Sequence, residues 1–309
     1  MLELRIDVTG AASLPGRTEM AVSVSLPTRA ALPERPVVMF CAPGGWYGRG
    51  YFDLQLPGHA GYSQAEHHVE RGVIVVALDH VGVGDSSLPD PELITFEVMA
   101  ATFDRVVGEI CARLRSGDID PRFGPLPNFA TVGLGQSMGG CAVILTQGRH
   151  ATFDAIAPLG FSAIQTVVPQ PPGAPPAPAN FAERDLRWPF HFDDVPVDIV
   201  EADLGGGYPV RETCPPWGSR TVPGCGKLMM APGAVAAEAA AVTVPVFIGN
   251  GERDVCPTPR EEPAAYAASD DILVRIYPRM AHMHNFASSR RALWDDLVDW
   301  SAKVARLQP

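Results

Sequence analysis

An apolar run, Phe129-Ala130-Thr131-Val132-Gly133-Leu134, leads straight into Gly135-Gln136-Ser137-Met138-Gly139, and that pentapeptide opens onto a small-residue segment, Gly139-Gly140-Cys141-Ala142-Val143-Ile144-Leu145. The order reads strand, sharp turn, helix. A serine in a G-x-S-x-G turn of this kind stands above the end of a sheet, and the glycines let neighbouring backbone pass close by. A glycine-serine cluster alone also makes ordinary turns. The strand before it and the helix after it make it a constraint on fold.

The rest of the chain keeps this alternation. Leu2 to Val8 and Glu19 to Ser25 read as strands, and Val37 to Cys41 as a buried third. Val73-Ile74-Val75-Val76-Ala77-Leu78 is a continuous apolar run, the pattern of a parallel strand covered on both faces. A helix is expected from Ser63 to Arg71. A longer one is expected over 92–115, where Phe96, Met99, Phe103, Val106, Val107, Ile110 and Leu114 recur at helical spacing. Strands at 155–159, 244–249 and 272–277 and a helix from Ser289 to Leu307 complete the series. The pattern predicts an α/β fold, a mostly parallel sheet with helices on both faces.

Residues 165–240 break the rhythm. Pro169-Gln170-Pro171-Pro172-Gly173-Ala174-Pro175-Pro176-Ala177-Pro178 suits neither a helix nor a central strand, and Phe181, Trp188, Phe190, Phe192, Tyr208 and Trp217 follow. Either this insertion caps an active site, or it is a surface excursion or homodimerisation arm packed by its own aromatics. The expected division is a core in two parts, 1–164 and 241–309, with 165–240 inserted as a cap.

A net charge of −11 argues against a nucleic-acid partner, which needs clustered Lys and Arg. No stretch approaches the roughly 20 apolar residues of a membrane span. The opening Met1-Leu2-Glu3-Leu4-Arg5-Ile6-Asp7 lacks the parts of a signal peptide, which points to the cytoplasm. The six cysteines form no C-x-x-C pair, so no structural zinc is expected. Cys214 and Cys225 flank a Pro/Gly-rich loop and could pair, although a cytosolic chain favours free thiols. His67-His68 point in different directions on a helix, against a shared metal, and are expected on its solvated surface.

A serine hydroxyl needs a base to take its proton, and the base needs an orienting group. Asp254 follows the 244–249 strand, and His282 follows the last one, in Arg279-Met280-Ala281-His282-Met283-His284-Asn285-Phe286. The chain order Ser137, Asp254, His282 is that of one hydrolase class. Glu252 competes for the acid role, with Glu201 and Asp203 more remote. Two further segments, Pro43-Gly44-Gly45-Trp46 after the third strand and Asp79-His80-Val81-Gly82-Val83-Gly84-Asp85-Ser86 after the fourth, complete a set of four.

On these motifs the sequence resembles the α/β-hydrolase superfamily over nearly its whole length. The resemblance implies about eight strands with a cap after the sixth. It makes Ser137 the nucleophile and Asp254 the orienter. It favours His282 over His284 as base, and leaves His284 to line the pocket or bond nearby backbone. It places an oxyanion hole at the backbone N–H groups of Met138 and Gly45, with Trp46 as the alternative to Gly45. Pro43 stands where many relatives carry a histidine. Tyr47, Trp188, Met283 and His284 are the expected pocket residues. The activity implied is cofactor-independent and metal-independent hydrolysis of a small-molecule carboxylic ester or lactone. An amide, a C–C bond or a peracid would use the same machinery, and a non-catalytic binding protein could retain it.

Overall fold

β-Branched runs and short turns build one eight-stranded sheet, and amphipathic segments cover both its faces. The computed structural model describes residues 1–209 and 211–307. The strands are β1 (Leu2–Asp7), β2 (Glu19–Ser25), β3 (Val37–Ala42), β4 (Ile74–Leu78), β5 (Ala130–Gln136), β6 (Ala155–Leu159), β7 (Val246–Arg253) and β8 (Ile272–Ala281). Their spatial order is β1-β2-β4-β3-β5-β6-β7-β8. β2 pairs antiparallel with both β1 and β4, and every pairing from β4 to β8 is parallel. The helices are α1 (Thr9–Ala12), α2 (Gln64–Val69), α3 (Phe96–Ser116), α4 (Met138–His150), α5 (Arg187–Phe190), α6 (Val197–Leu204), α7 (Ala236–Ala241) and α8 (Arg290–Leu307).

Alternate side chains of the central strands enter opposite cores. Val38, Phe40, Ile74 and Val76 pack with α3 and α4, whereas Val37, Met39, Cys41, Val75 and Ala77 pack with α2 and α8. This two-sided burial is why β3 and β4 read as unbroken apolar runs. On α3 the stripe from Met99 to Leu114 is buried as its spacing requires. The helix starts at Phe96, not at 92. The Thr95 hydroxyl accepts from the Val98 N–H as its N-cap, and Pro91–Leu93 forms a separate turn capped by Asp90. β8 runs past Tyr277 and contains Pro278, which an edge strand tolerates because its outer N–H groups have no partner to lose.

The placement of His67 and His68 on a solvated surface is corrected. Both are buried, because α2 packs against α8. His67 Nε2 lies 2.9 Å from Asp295, and its ring stacks obliquely on Trp294. Burial pushes His68 down to about 3, so it is a neutral core residue.

Between β6 and β7 none of the described residues adds a strand to the sheet. Residues 160–245 carry α5, α6 and α7 among long irregular stretches. Leu186, Phe190, Val195, Ile199 and Trp217 are buried in the core on the α2/α8 side. Among the described residues, no helix is long and apolar enough to cross a membrane.

Candidate active site

Ser137 sits between β5 and α4 with φ 54° and ψ −116°, a backbone conformation rare for a residue with a side chain. Two glycines allow the turn by close approach. A Cβ on Gly135 would collide with the Gly139 backbone, and one on Gly139 with the Ala42 carbonyl. Gly139→Ala should therefore cost about 3 kcal/mol, the upper end of ordinary overpacking. An unchanged urea midpoint would contradict that approach.

His282 follows β8. Its Nε2 lies 3.0 Å from Ser137 Oγ, and its Nδ1 lies 2.8 Å from Asp254 Oδ1. The backbone around it is pinned: its N–H donates to Pro189 O (3.1 Å), and its carbonyl accepts from Gln136 Nε2 (2.8 Å). The Phe190 ring covers the imidazole at 5.0 Å. Asp254 is buried just after β7 and takes four hydrogen bonds. Val255 N–H (2.7 Å) and His282 reach Oδ1; Gly251 N–H (2.8 Å) and His284 Nε2 (2.6 Å) reach Oδ2.

Burial alone would raise the Asp254 carboxyl. The neighbouring His284 and His282, by charge and hydrogen bonding, more than reverse this and hold it well below the usual carboxylate range. It is ionised throughout the pH range of most enzymes. A depressed carboxyl adds stability that is present above its unfolded value, about 3.9, and is lost as pH falls toward its folded one. The Tm difference between wild type and Asp254→Asn should persist above about pH 4 and narrow below it. A difference that widens on acidification would contradict the assignment.

The other sequence candidates divide clearly. Glu252 is exposed and accepts from the Arg279 N–H, and Glu201 pairs with Arg187 at the surface. Asp203 is buried but bonds His191, not His282. Tyr47 and Met283 line the cavity above Ser137. Trp188 does not: its ring lies against the Arg253 guanidinium, 4.2 Å away. Nor does His284, which is turned onto the far oxygen of Asp254. Both corrections have one cause: aromatic character marks a residue as buried without saying which charged neighbour it covers.

The cavity has a volume of about 440 Å³. Phe181, Phe190, Tyr208, Met229, Met230 and Met283 supply much of its apolar wall, most of them from the 160–245 segment. Met138 opens α4, so its N–H has no preceding helix carbonyl to bond. Gly45 and Trp46 also border the cavity, and among the described residues neither N–H donates to another group of the chain. His80, which burial pushes down to about 4, is a neutral ring whose Nε2–H donates to the Pro43 carbonyl (3.1 Å), steadying the start of this loop. A separate cavity of about 350 Å³ surrounds Arg49, whose side chain is held by Glu3, Asp79 and Asp85; it does not reach Ser137.

Two neighbours of the site carry no sequence warning. Gln136, inside the G-x-S-x-G turn, ties the strand that leads to Ser137 to the His282 loop. Gly160 ends β6 in the left-handed region (φ 54°), where a Cβ would press within 3.3 Å of both His282 and Asp254. Their contacts join residues far apart in the chain, which local pattern does not encode.

The sequence matches no family model and no curated protein. Solved structures do match. A thermophilic esterase from Thermogutta terrifontis aligns with a TM-score of 0.60 at 15% identity, over 99% of this chain and 100% of its own. A bromoperoxidase from Bacillus anthracis aligns at 0.62 and 15%, over 98% and 100%. The chain has the α/β-hydrolase fold. An enol-lactonase from Burkholderia xenovorans shares it (TM-score 0.58, 16% identity, 92% of this chain and 97% of the other). One α/β-hydrolase fold thus carries an esterase, a bromoperoxidase and a lactonase, so the reaction has to be argued from the site. In this α/β-hydrolase fold, residues from the C-terminal ends of β3, β5, β7 and β8 meet at one cavity.

Proposed function

We propose that the protein is a serine hydrolase that cleaves a carboxylic ester or lactone of an apolar or aromatic small molecule. The observation that carries this reading is the relay Ser137 Oγ–His282 Nε2 (3.0 Å) and His282 Nδ1–Asp254 Oδ1 (2.8 Å) beside an apolar cavity. In the first step Ser137 Oγ bonds to the ester carbonyl carbon while His282 Nε2 takes the hydroxyl proton. Asp254 fixes the ring and stabilises the imidazolium. The N–H of Met138 and that of Gly45 or Trp46 receive the oxyanion; each such donor is typically worth about 10²–10³ in rate. The carbon–oxygen bond to the alcohol then breaks, and His282 returns its proton to the leaving oxygen. Water attacks the acyl-enzyme with the same base, releasing the acid and restoring Ser137. A lactone follows the same steps, with its alcohol still tethered to the acid.

The insertion 165–240 acts as the cap in this reading. The thioethers and rings it gives the cavity favour flat apolar groups over charged ones. A panel of p-nitrophenyl esters, aryl esters, lactones and amides, run beside fluorophosphonate labelling, tests the proposal. Multiple turnover of apolar esters or lactones is expected, with one fluorophosphonate per chain on the peptide containing Ser137. Ligand binding without turnover would instead make this a binding protein.

A further inference from the structure

Asp203 lies on α6, fully buried, and three donors converge on its carboxylate: Tyr47 Oη at 2.8 Å, His191 Nε2 at 2.9 Å and Trp217 Nε1 at 3.0 Å. Arg211 is buried beside it, 3.5 Å from Oδ1, and donates to the Asp203 backbone carbonyl (3.1 Å). Its guanidinium is flanked by the rings of Tyr47 and Tyr208 at 4.9 and 4.8 Å. Its other amino group donates to the Trp46 carbonyl at 2.6 Å, and the Ser219 N–H donates to that same oxygen at 2.9 Å. Neither Asp203 nor Arg211 borders the cavity.

A trans peptide carries its C=O and N–H on opposite sides, so fixing one aims the other. With the Trp46 carbonyl held, the Tyr47 N–H points away from it and reaches the Gly44 carbonyl at 3.2 Å. That bond holds the Gly44 carbonyl, which aims the Gly45 N–H in the opposite direction. Tyr208 Oη donates to the Gly45 carbonyl at 3.4 Å, which aims the Trp46 N–H. Trp46 itself has φ 68°, a left-handed conformation that a side-chain-bearing residue keeps only where its surroundings impose it. These bonds are such an imposition, and apart from the Tyr47–Gly44 bond within the loop, the groups on their far side, Arg211, Ser219 and Tyr208, come from the segment between β6 and β7.

We propose that Asp203 and Arg211 are positioning residues: through the Trp46 carbonyl and Tyr47 they set the N–H groups of the Gly44–Tyr47 loop to receive the oxyanion. This rests on the ester-hydrolase reading and adds to it that the inserted segment builds the anion site as well as covering it. Arg211 acts at one remove, on the peptide whose far neighbours are the donors. Asp203 holds Arg211 and Tyr47 in register.

The test compares two inhibitors. An aryl trifluoromethyl ketone adds to the serine and places an oxyanion in the hole; the corresponding secondary alcohol fills the same cavity but cannot add. In Arg211→Met, kcat for a p-nitrophenyl ester should fall about 10- to 100-fold, the cost of a misplaced donor. KM should stay within about twofold, because substrate binding in the cavity is untouched. Ki for the ketone should rise by the same factor as kcat falls, while Ki for the alcohol holds. Tyr47→Phe should move the same quantities in the same direction by less, and supplies the answer if Arg211→Met does not fold. Ki values that rise together, or a lowered Tm with kcat unchanged, would make the pair structural only and overturn the proposal. Wild-type protein that neither turns over the ester nor adds to the ketone would overturn the hydrolase reading itself, and this proposal with it.

Discussion

Ser137→Ala should lower ester turnover by on the order of 10⁵–10⁶-fold, the loss seen when a relay of this kind loses its nucleophile. It should also abolish fluorophosphonate labelling. KM should change little, because the cavity walls come from other residues. The fold should survive, since alanine keeps the Cβ that the turn already accommodates and the serine hydroxyl bonds only His282. Turnover persisting within about tenfold of wild type would mean that another group is the nucleophile. Five of the six cysteines are poor substitutes: the buried Cys41, Cys111, Cys141, Cys225 and Cys256 are all pushed upward by burial, away from the reactive thiolate.

The second large effect separates two histidines two residues apart. His282→Ala should cost about as much as Ser137→Ala, because the proton of the hydroxyl then has no acceptor. His284→Ala should cost roughly tenfold or less, because it removes one of four hydrogen bonds to Asp254 and nothing that faces Ser137. His284 Nε2 donates to Asp254 Oδ2 at 2.6 Å. His284→Gln, which can still donate there, should lose less activity than His284→Ala. Equal losses in His282→Ala and His284→Ala would put the base assignment in error.

Sheet and helices were legible because burial on two faces writes itself locally. The runs at 37–42 and 74–78 and the α3 stripe each declare their surroundings within a dozen residues. The elbow was legible for the same reason, since one turn holds both the serine and the glycines that admit it. The irregularity of residues 165–240 shows in their proline run, but the contacts those residues make do not. Asp203 reads as one more acidic residue on a short helix, and only the fold brings Tyr47, His191, Trp217 and Arg211 around it. Trp188 and His284 were misplaced because a side chain's partner, not its own chemistry, decides whether it faces a cavity.

The relay joins residue 137 to residues 254 and 282, across four strands that pair in sequence order, β5 beside β6 beside β7 beside β8. A chain made from its N-terminus can complete the serine's turn long before its base exists. During synthesis the hydroxyl is an ordinary alcohol, and it gains its proton acceptor only when the last strand docks at the sheet edge. In the proposed reading Ser137 therefore meets its base only after β8 has paired with β7.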